Sequence, residues 1–196
     1  MAVARRSPLK NVAAAADARL AAEGFRRQTH TWYRTNALGD HALIELQPVP
    51  SIQPGQTRFH VNTAIVVAPQ VHRATESREK ALPTTADGLL LSRVKPPGTD
   101  LPSMGWTASE LTAAATGALL AEALLAGPVE RLRGLLDRDR LRAELSARGP
   151  ENPALRAAFL AEEGPGPELD ALVAELAADP YSAEYAAWLR RYAARG

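Results

Sequence analysis

Apolar and polar side chains alternate most regularly between Thr57 and Val67. Phe59 and Val61 are apolar, whereas His60 and Asn62 are polar. A period of two is typical of a strand that buries one face and exposes the other. The pattern therefore predicts a β-strand over Thr57–Val67.

Three further segments are predicted to be strands. Phe25–Thr35 and His41–Val49 are rich in β-branched and aromatic residues, and the turn-forming segment Asn36–Asp40 joins them. Leu89–Val94 is predicted to be the fourth strand. The segment before it, Ala68–Thr85, is polar and charged, and its sequence fits a loop, a short helix or a mobile excursion.

A helix is predicted before the strands. Ser7 is a favourable N-cap residue and Pro8 a favourable first helical residue. Apolar residues then recur with the helical period, and Gly24 follows where a left-handed conformation would end the helix. Residues 1–7 are expected to form a flexible tail.

The chain after Trp106 is predicted to be entirely helical. Thr107 and Glu110 fit a capping box, with threonine as the N-cap and glutamate as the third helical residue. Apolar residues then recur every three or four positions as far as the C-terminus. Glycine–proline pairs, among them Gly127-Pro128 and Gly149-Pro150, separate the successive helices.

These elements together predict an α+β protein with an N-terminal helix, a four-stranded antiparallel sheet and a helical C-terminal half. Strands that follow one another without a helix between each pair argue against a parallel, doubly wound sheet. We expect an α+β core domain over residues 8–149. A C-terminal helical extension over residues 150–196 is expected to pack on it.

Composition narrows the possible function classes. The chain of 196 residues has no cysteine, so disulfides, thiolate metal sites and cysteine nucleophiles are excluded. Its formal net charge of +1 is too small to attract the chain as a whole to nucleic acid or to an anionic membrane. The scarcity of lysine relative to arginine suggests a GC-rich bacterial genome. No signal peptide or bilayer-spanning segment is apparent, so we expect a cytoplasmic location and no membrane partner.

The order of these elements, and several residues within them, resemble a known bacterial family. The sequence GFRRQTHTWYR, a strand that ends in glutamine and a Phe-x-Val-Asn strand follow the first helix. In this it resembles the bacterial domain-of-unknown-function family 4304 over about Leu9 to Leu145. The resemblance implies the fold only, because the family has no assigned activity. The matching residues are Gly24, Phe25, Tyr33, Arg34, Gln47, Phe59, Val61 and Asn62.

Polar residues of the strands form the first candidate site. If Ile44 and Leu46 face the core, Glu45 and Gln47 face outward. The polar residues of the neighbouring strand, His60 and Asn62, then share that outward face. Two histidines and a carboxylate on adjacent strands could bind a metal or act as an acid–base pair. The favoured interpretation is that the same residues form a solvated outer sheet face. The candidates are His30, Glu45, Gln47, His60 and Asn62.

The second candidate is a stripe of aromatic residues near the C-terminus. Such residues favour protein interfaces, but a terminal helix also needs an anchor on its own chain. The stripe could therefore bind a protein partner or a second copy of the chain, or dock intramolecularly, and docking is favoured. Its members are Tyr181, Tyr185, Trp188 and Tyr192.

Known catalytic motifs are absent from the sequence: there is no G-x-S-x-G, P-loop, H-E-x-x-H or G-x-G-x-x-G. No ligand spacing supports a metal, and no cofactor is predicted. The arginines of Val129–Arg148 alternate with acids, which is typical of a solvated helix face rather than of nucleic-acid binding. We therefore predict a non-catalytic module that binds a protein partner. The alternative is a small-molecule-binding protein or enzyme with a His/Glu/Asn site on the sheet.

Overall fold

A computed structural model describes residues 7–51, 53–76, 82–99, 105–148 and 152–195. It confirms the α+β class and the antiparallel sheet. Residues 1–6 of the expected tail, and the expected boundary at residues 149–150, lie outside the described residues.

The described sheet has six strands in five positions, so the prediction of four strands is wrong. β1 to β5 lie side by side in chain order, and β6 also pairs with β4. β5 pairs with the second half of β4 and β6 with the first half, so both lie along one edge of β4. The strands are β1 (Arg26–Gln28), β2 (Thr31–Thr35), β3 (His41–Val49), β4 (Gln56–Val66), β5 (Leu89–Val94) and β6 (Trp106–Ser109).

Along the sequence, helices precede the first strand, separate β4 from β5 and follow the last strand. The segment between β4 and β5 contains a helix and a short 3-10 turn, Thr85–Asp87. The helices are α1 (Pro8–Ala22), α2 (Ala68–Glu76), α3 (Ala113–Leu125), α4 (Pro128–Leu135), α5 (Arg138–Ser146), α6 (Pro153–Glu163), α7 (Pro167–Ala177) and α8 (Ala183–Ala193).

Two predictions made from the sequence need correction, one of a strand and one of a helix start. The predicted strand Phe25–Thr35 is a tight hairpin, because the chain reverses at Thr29, which has a φ of 53°. The predicted capping box at Thr107 is instead part of β6. There Trp106 stacks on the Phe59 ring with centroids 6.4 Å apart and donates from Nε1 to the Val94 carbonyl at 2.9 Å. This buried pairing outweighs the local capping signal, and the next helix, α3, begins only at Ala113.

The predicted helix Val129–Arg148 is two helices. The carboxylate of Asp137 accepts hydrogen bonds from the backbone N–H groups of Asp139 and Arg140, at 3.0 and 3.1 Å. It therefore caps the start of α5. Asp137 is consequently the N-cap of α5, whereas Asp139 lies in its first turn.

One face of the sheet, here called the inner face, packs on α1 and α3. Its large side chains, among them Trp32 and Phe59, are fully buried in a cluster that includes both helices. Trp32 donates from Nε1 to the Asp17 carboxylate of α1 at 3.0 Å. Gly117 brings the helices together, because a Cβ there would overlap the Val12 carbonyl oxygen.

The opposite face, here called the outer face, is covered over half its length. Leu43, Ala64 and Val66 of this face are buried, and Gly88 lies against Ala64 and Val66. A second hydrophobic cluster joins α6, α7 and α8, and α6 contacts α2. Phe159 of α6 belongs to the main cluster, which ties the C-terminal helices to the rest of the core.

No single helix in the described part of the chain is long and apolar enough to cross a membrane. α3 and α4 reach that length and composition only as a pair, and they meet at a bend of 51°.

Candidate functional site

Four of the five predicted sheet residues lie together on the outer face. Glu45 of β3 is opposite Asn62 of β4, and Gln47 is opposite His60. Residues directly opposite one another in antiparallel strands point to the same side of the sheet. Asn62 is in turn opposite Arg93 of β5, so an arginine that the sequence did not single out joins the group.

Hydrogen bonds between side chains connect three strands across this face. Asn62 donates from Nδ2 to Gln47 Oε1 at 2.8 Å, and Arg93 donates from Nε to Asn62 Oδ1 at 3.3 Å. Asn62 is only 6% exposed, whereas Gln47 and Arg93 are exposed. Both ends of the buried Asn62 amide are thus used, and its oxygen orients the exposed Arg93 side chain.

Glu45 is occupied within the chain. One oxygen of its carboxylate, Oε2, accepts hydrogen bonds from the backbone N–H of Thr85 at 3.0 Å and from the Thr85 hydroxyl at 2.5 Å. Thr85 is buried. The carboxylate therefore fastens the 3-10 turn to the sheet and marks where the covered part of the outer face ends.

His60 lies between positive charges. Its burial, and then the charges of Arg93 and Arg58, lower the pKa of its imidazole below the ordinary 6.5. Its Nδ1 is enclosed and has no hydrogen-bond partner within the described residues. The imidazole is therefore neutral at pH 7 and offers a donor or an acceptor, while the two arginines supply the charge.

His30 does not join this group. It lies in the turn between β1 and β2, and Thr31 rather than His30 is opposite Glu45. Its burial, followed by the charges of Lys10 on α1 and of Arg27, lowers the pKa of His30. The expected approach of His30 to Glu45 assumed an uninterrupted strand, and the reversal at Thr29 shifts His30 out of that strand.

The outer-face group is suited to recognition of anions. Within the described residues, no three His, Asp or Glu side chains are placed to hold a metal ion. We call the uncovered part of the outer face, formed by Gln47, Arg58, His60, Asn62 and Arg93, the open half. Its amides are engaged with one another, and its two guanidinium groups match the planar geometry of a carboxylate or phosphate.

The C-terminal aromatic stripe docks largely on α2. Trp188 is 4% exposed and donates from Nε1 to the Glu76 carboxylate at 2.6 Å. Its ring stacks on Tyr192 with centroids 5.0 Å apart, and Tyr185 lies under the guanidinium of Arg73.

The remaining member, Tyr181, is 97% exposed. Most of the stripe therefore anchors α8 within the chain. Tyr181 alone presents its ring to solvent.

A buried ionic network was missed from the sequence. Asp40, 1% exposed, accepts hydrogen bonds from Arg138 Nε and Nη2 at 2.9 and 2.6 Å, and from the Ala68 backbone N–H at 2.9 Å. Arg138 also binds Glu162 of α6. Burial would raise the pKa of Asp40, but the hydrogen bonds from Arg138, Asn36 and Ala68 outweigh it and lower that pKa.

In the sequence, Asp40 belongs to the turn-forming segment Asn36–Asp40. Its main partner, Arg138, lies 98 positions away, and no local pattern points to it. Other arginines of the same stretch also form ion pairs: Arg131 with Glu144 and Arg133 with Glu23. Several of the alternating charges of this stretch thus form pairs within the molecule.

A scan of protein-family models found no model that matches the chain, and searches of curated proteins and of solved structures found no match either. The resemblance to the domain-of-unknown-function family 4304 therefore stays a prediction.

Proposed function

We propose that the protein is a non-catalytic module that binds an acidic segment of a protein partner on the open half of the outer sheet face. The observation that carries the proposal is the hydrogen-bonded row Gln47–Asn62–Arg93, which holds a guanidinium at the surface. A side chain whose position is already fixed loses little conformational entropy when it binds.

Charge supports an acidic partner. Arg58 and Arg93 both lie beside His60. The one carboxylate among the outward residues of β3 and β4, Glu45, is bound by Thr85. The open half presents the exposed Arg93 guanidinium on a chain whose net charge is only +1, and opposite charge would steer and orient a partner.

Size favours a segment over a folded domain. From Gln56 to Asn62 the face runs about 20 Å along β4, and three strands cover about 14 Å, so it measures roughly 300 Å². A standard interface between two folded proteins buries about 800 Å² on each partner. One extended or helical segment fits the smaller area.

The alternative, a small-molecule or catalytic His/Glu/Asn site on this sheet, receives less support. Its carboxylate, Glu45, is hydrogen-bonded to Thr85, and His30 lies in a turn away from the row. Nucleic acid would also need cationic groups. However, stacking platforms are typical of single-strand binding, and the five residues of the open half include no Phe, Tyr or Trp.

Fluorescence anisotropy with a labelled peptide of alternating Glu and Ser tests the proposal. We expect binding that weakens with added salt, and at least tenfold weaker binding in the double variant Arg58→Gln/Arg93→Gln. The matched control is Arg140→Gln, which removes an exposed arginine of α5. A labelled oligonucleotide and an alternating Lys/Ser peptide serve as competing probes.

Failure of the acidic peptide to bind, or equal loss in Arg140→Gln, would contradict the proposal. Tighter binding of the oligonucleotide with the same loss in the double variant would replace the acidic segment by nucleic acid.

A further inference from the structure

A cleft of about 570 Å³ opens beside α2, away from the row on the sheet. Its walls are one face of α2, the 3-10 turn with the start of β5, and the first residues of α6 and α8. Small-molecule sites occupy about 300–1,000 Å³, so the volume is that of a metabolite site. The polar and aromatic lining residues are Gln70, Arg73, Asp87, Asn152, Tyr181 and Tyr185.

Arg73 supplies the positive charge of the cleft. Its guanidinium carbon lies 4.6 Å from the centroid of the Tyr185 ring, and the side chain is exposed. Among the residues that the structure describes, Arg73 forms no ion pair. A guanidinium stacked on an aromatic ring keeps its N–H edge available for a carboxylate or phosphate.

Tyr185 keeps this arrangement free of an opposing charge. Its phenol is neutral near pH 7, as any tyrosine is, and burial raises the pKa of the hydroxyl further, to about 12. The acid of the cleft, Asp87, accepts hydrogen bonds from the backbone N–H and the hydroxyl of Thr84, both at 2.8 Å. These neutral donors satisfy Oδ2 of Asp87 but leave its negative charge, so the cleft presents one cationic group, Arg73, and one carboxylate, Asp87.

Gln70 adds a buried hydrogen-bond acceptor that lacks a donor. Its Oε1 has no solvent contact and no hydrogen-bond partner within the described chain. An enclosed acceptor without a donor costs free energy. Gln70 and Arg73 are three residues apart on one face of α2, so rotation of the Gln70 side chain toward the cleft would let one ligand meet both.

We propose that this cleft binds a small metabolite that carries a carboxylate or phosphate for Arg73 and an N–H or O–H donor for Gln70. The starts of α6 and α8 border the cleft, and the positive ends of helix dipoles favour an anion there. The proposal does not depend on partner binding at the open half, since it uses none of the same residues.

Thermal unfolding of the full chain with two probe sets at millimolar concentration tests the inference. The natural amino acids present a carboxylate beside a donor, and nucleoside monophosphates present a phosphate. Acetate and inorganic phosphate are the controls for the bare anion. We expect at least one organic probe to raise Tm and the bare anions to leave it unchanged.

Binding of the active probe is then measured by calorimetry in variants. Arg73→Gln and Gln70→Leu should each weaken it at least tenfold, while Arg140→Gln should leave its Kd unchanged. Both changed side chains lie on the surface of α2 or at the cleft, and circular dichroism checks that the variants fold. No Tm shift with any probe, or the same Kd in Arg73→Gln as in the wild type, would overturn the proposal.

Discussion

Replacing Arg138 by Met should destabilise the protein strongly. The change removes the hydrogen bonds that Asp40 receives from Arg138 at 2.9 and 2.6 Å. The Asp40 carboxylate is 1% exposed, so it would stay buried with only Asn36 and Ala68 as donors. The Glu162 carboxylate of α6 would lose its partner as well.

The magnitude follows from the cost of an uncompensated buried charge. Breaking one partner out of a buried ion pair costs about 3–5 kcal/mol. For a chain of this size each kcal/mol lowers Tm by about 2–4 °C, which gives a fall of roughly 6–20 °C. The matched control Arg140→Met, on the same helix but exposed, should stay within about 0.5 kcal/mol of the wild type.

Urea unfolding followed by circular dichroism measures these differences. The double variant Asp40→Asn/Arg138→Met should be more stable than Arg138→Met alone, because it no longer buries an unpaired carboxylate at position 40. Arg138→Met could instead lower the free energy of unfolding by less than about 1 kcal/mol, or the double variant could be less stable than the single one. Either result would show that Arg138 does not compensate a buried charge on Asp40.

Three smaller predictions concern single positions. Gly117→Ala should cost about 1–3 kcal/mol in urea unfolding, since its Cβ would overlap the Val12 carbonyl and push α1 from α3; an unchanged midpoint would contradict this packing. Asp137→Ala should cost about 1 kcal/mol, because α5 loses the acceptor of its cap, and Asp137→Asn should retain most of it. The lowered pKa of His60 means that the unfolded chain binds the proton more readily, so stability should fall as the pH drops below about 6.5. His60→Gln should make that fall less steep, and an identical pH profile would show that His60 does not contribute to it.

Local patterns predicted the elements that local interactions decide. The alternation over β4 and the apolar face of α1 each follow from burial of one side, and Gly24, with a φ of 82°, ends α1 as expected. The antiparallel arrangement followed from strands that succeed one another without helices between them. These features depend on neighbours within a few positions, which a single sequence displays.

Pairings between distant segments could not be predicted in the same way. β6 was taken for the start of a helix, because the signal at Thr107 and Glu110 is local whereas the pairing of Trp106 with Phe59 is not. The candidate residues of the sheet were found by assuming a register, and that register held for Glu45, Gln47, His60 and Asn62. It failed for His30, which directly follows the reversal at Thr29 and lies in the turn rather than in a strand.

The most direct test of the account is to map where an acidic peptide binds. The alternating Glu/Ser peptide would be titrated into isotope-labelled protein, and the side-chain signals of Gln47, Asn62 and Arg93 would be followed by NMR. If the open half binds the peptide, these signals shift together with one saturation curve, while backbone signals of α3 on the inner side of the sheet stay in place. Shifts confined to residues outside the open half, or none at saturating peptide, would contradict it.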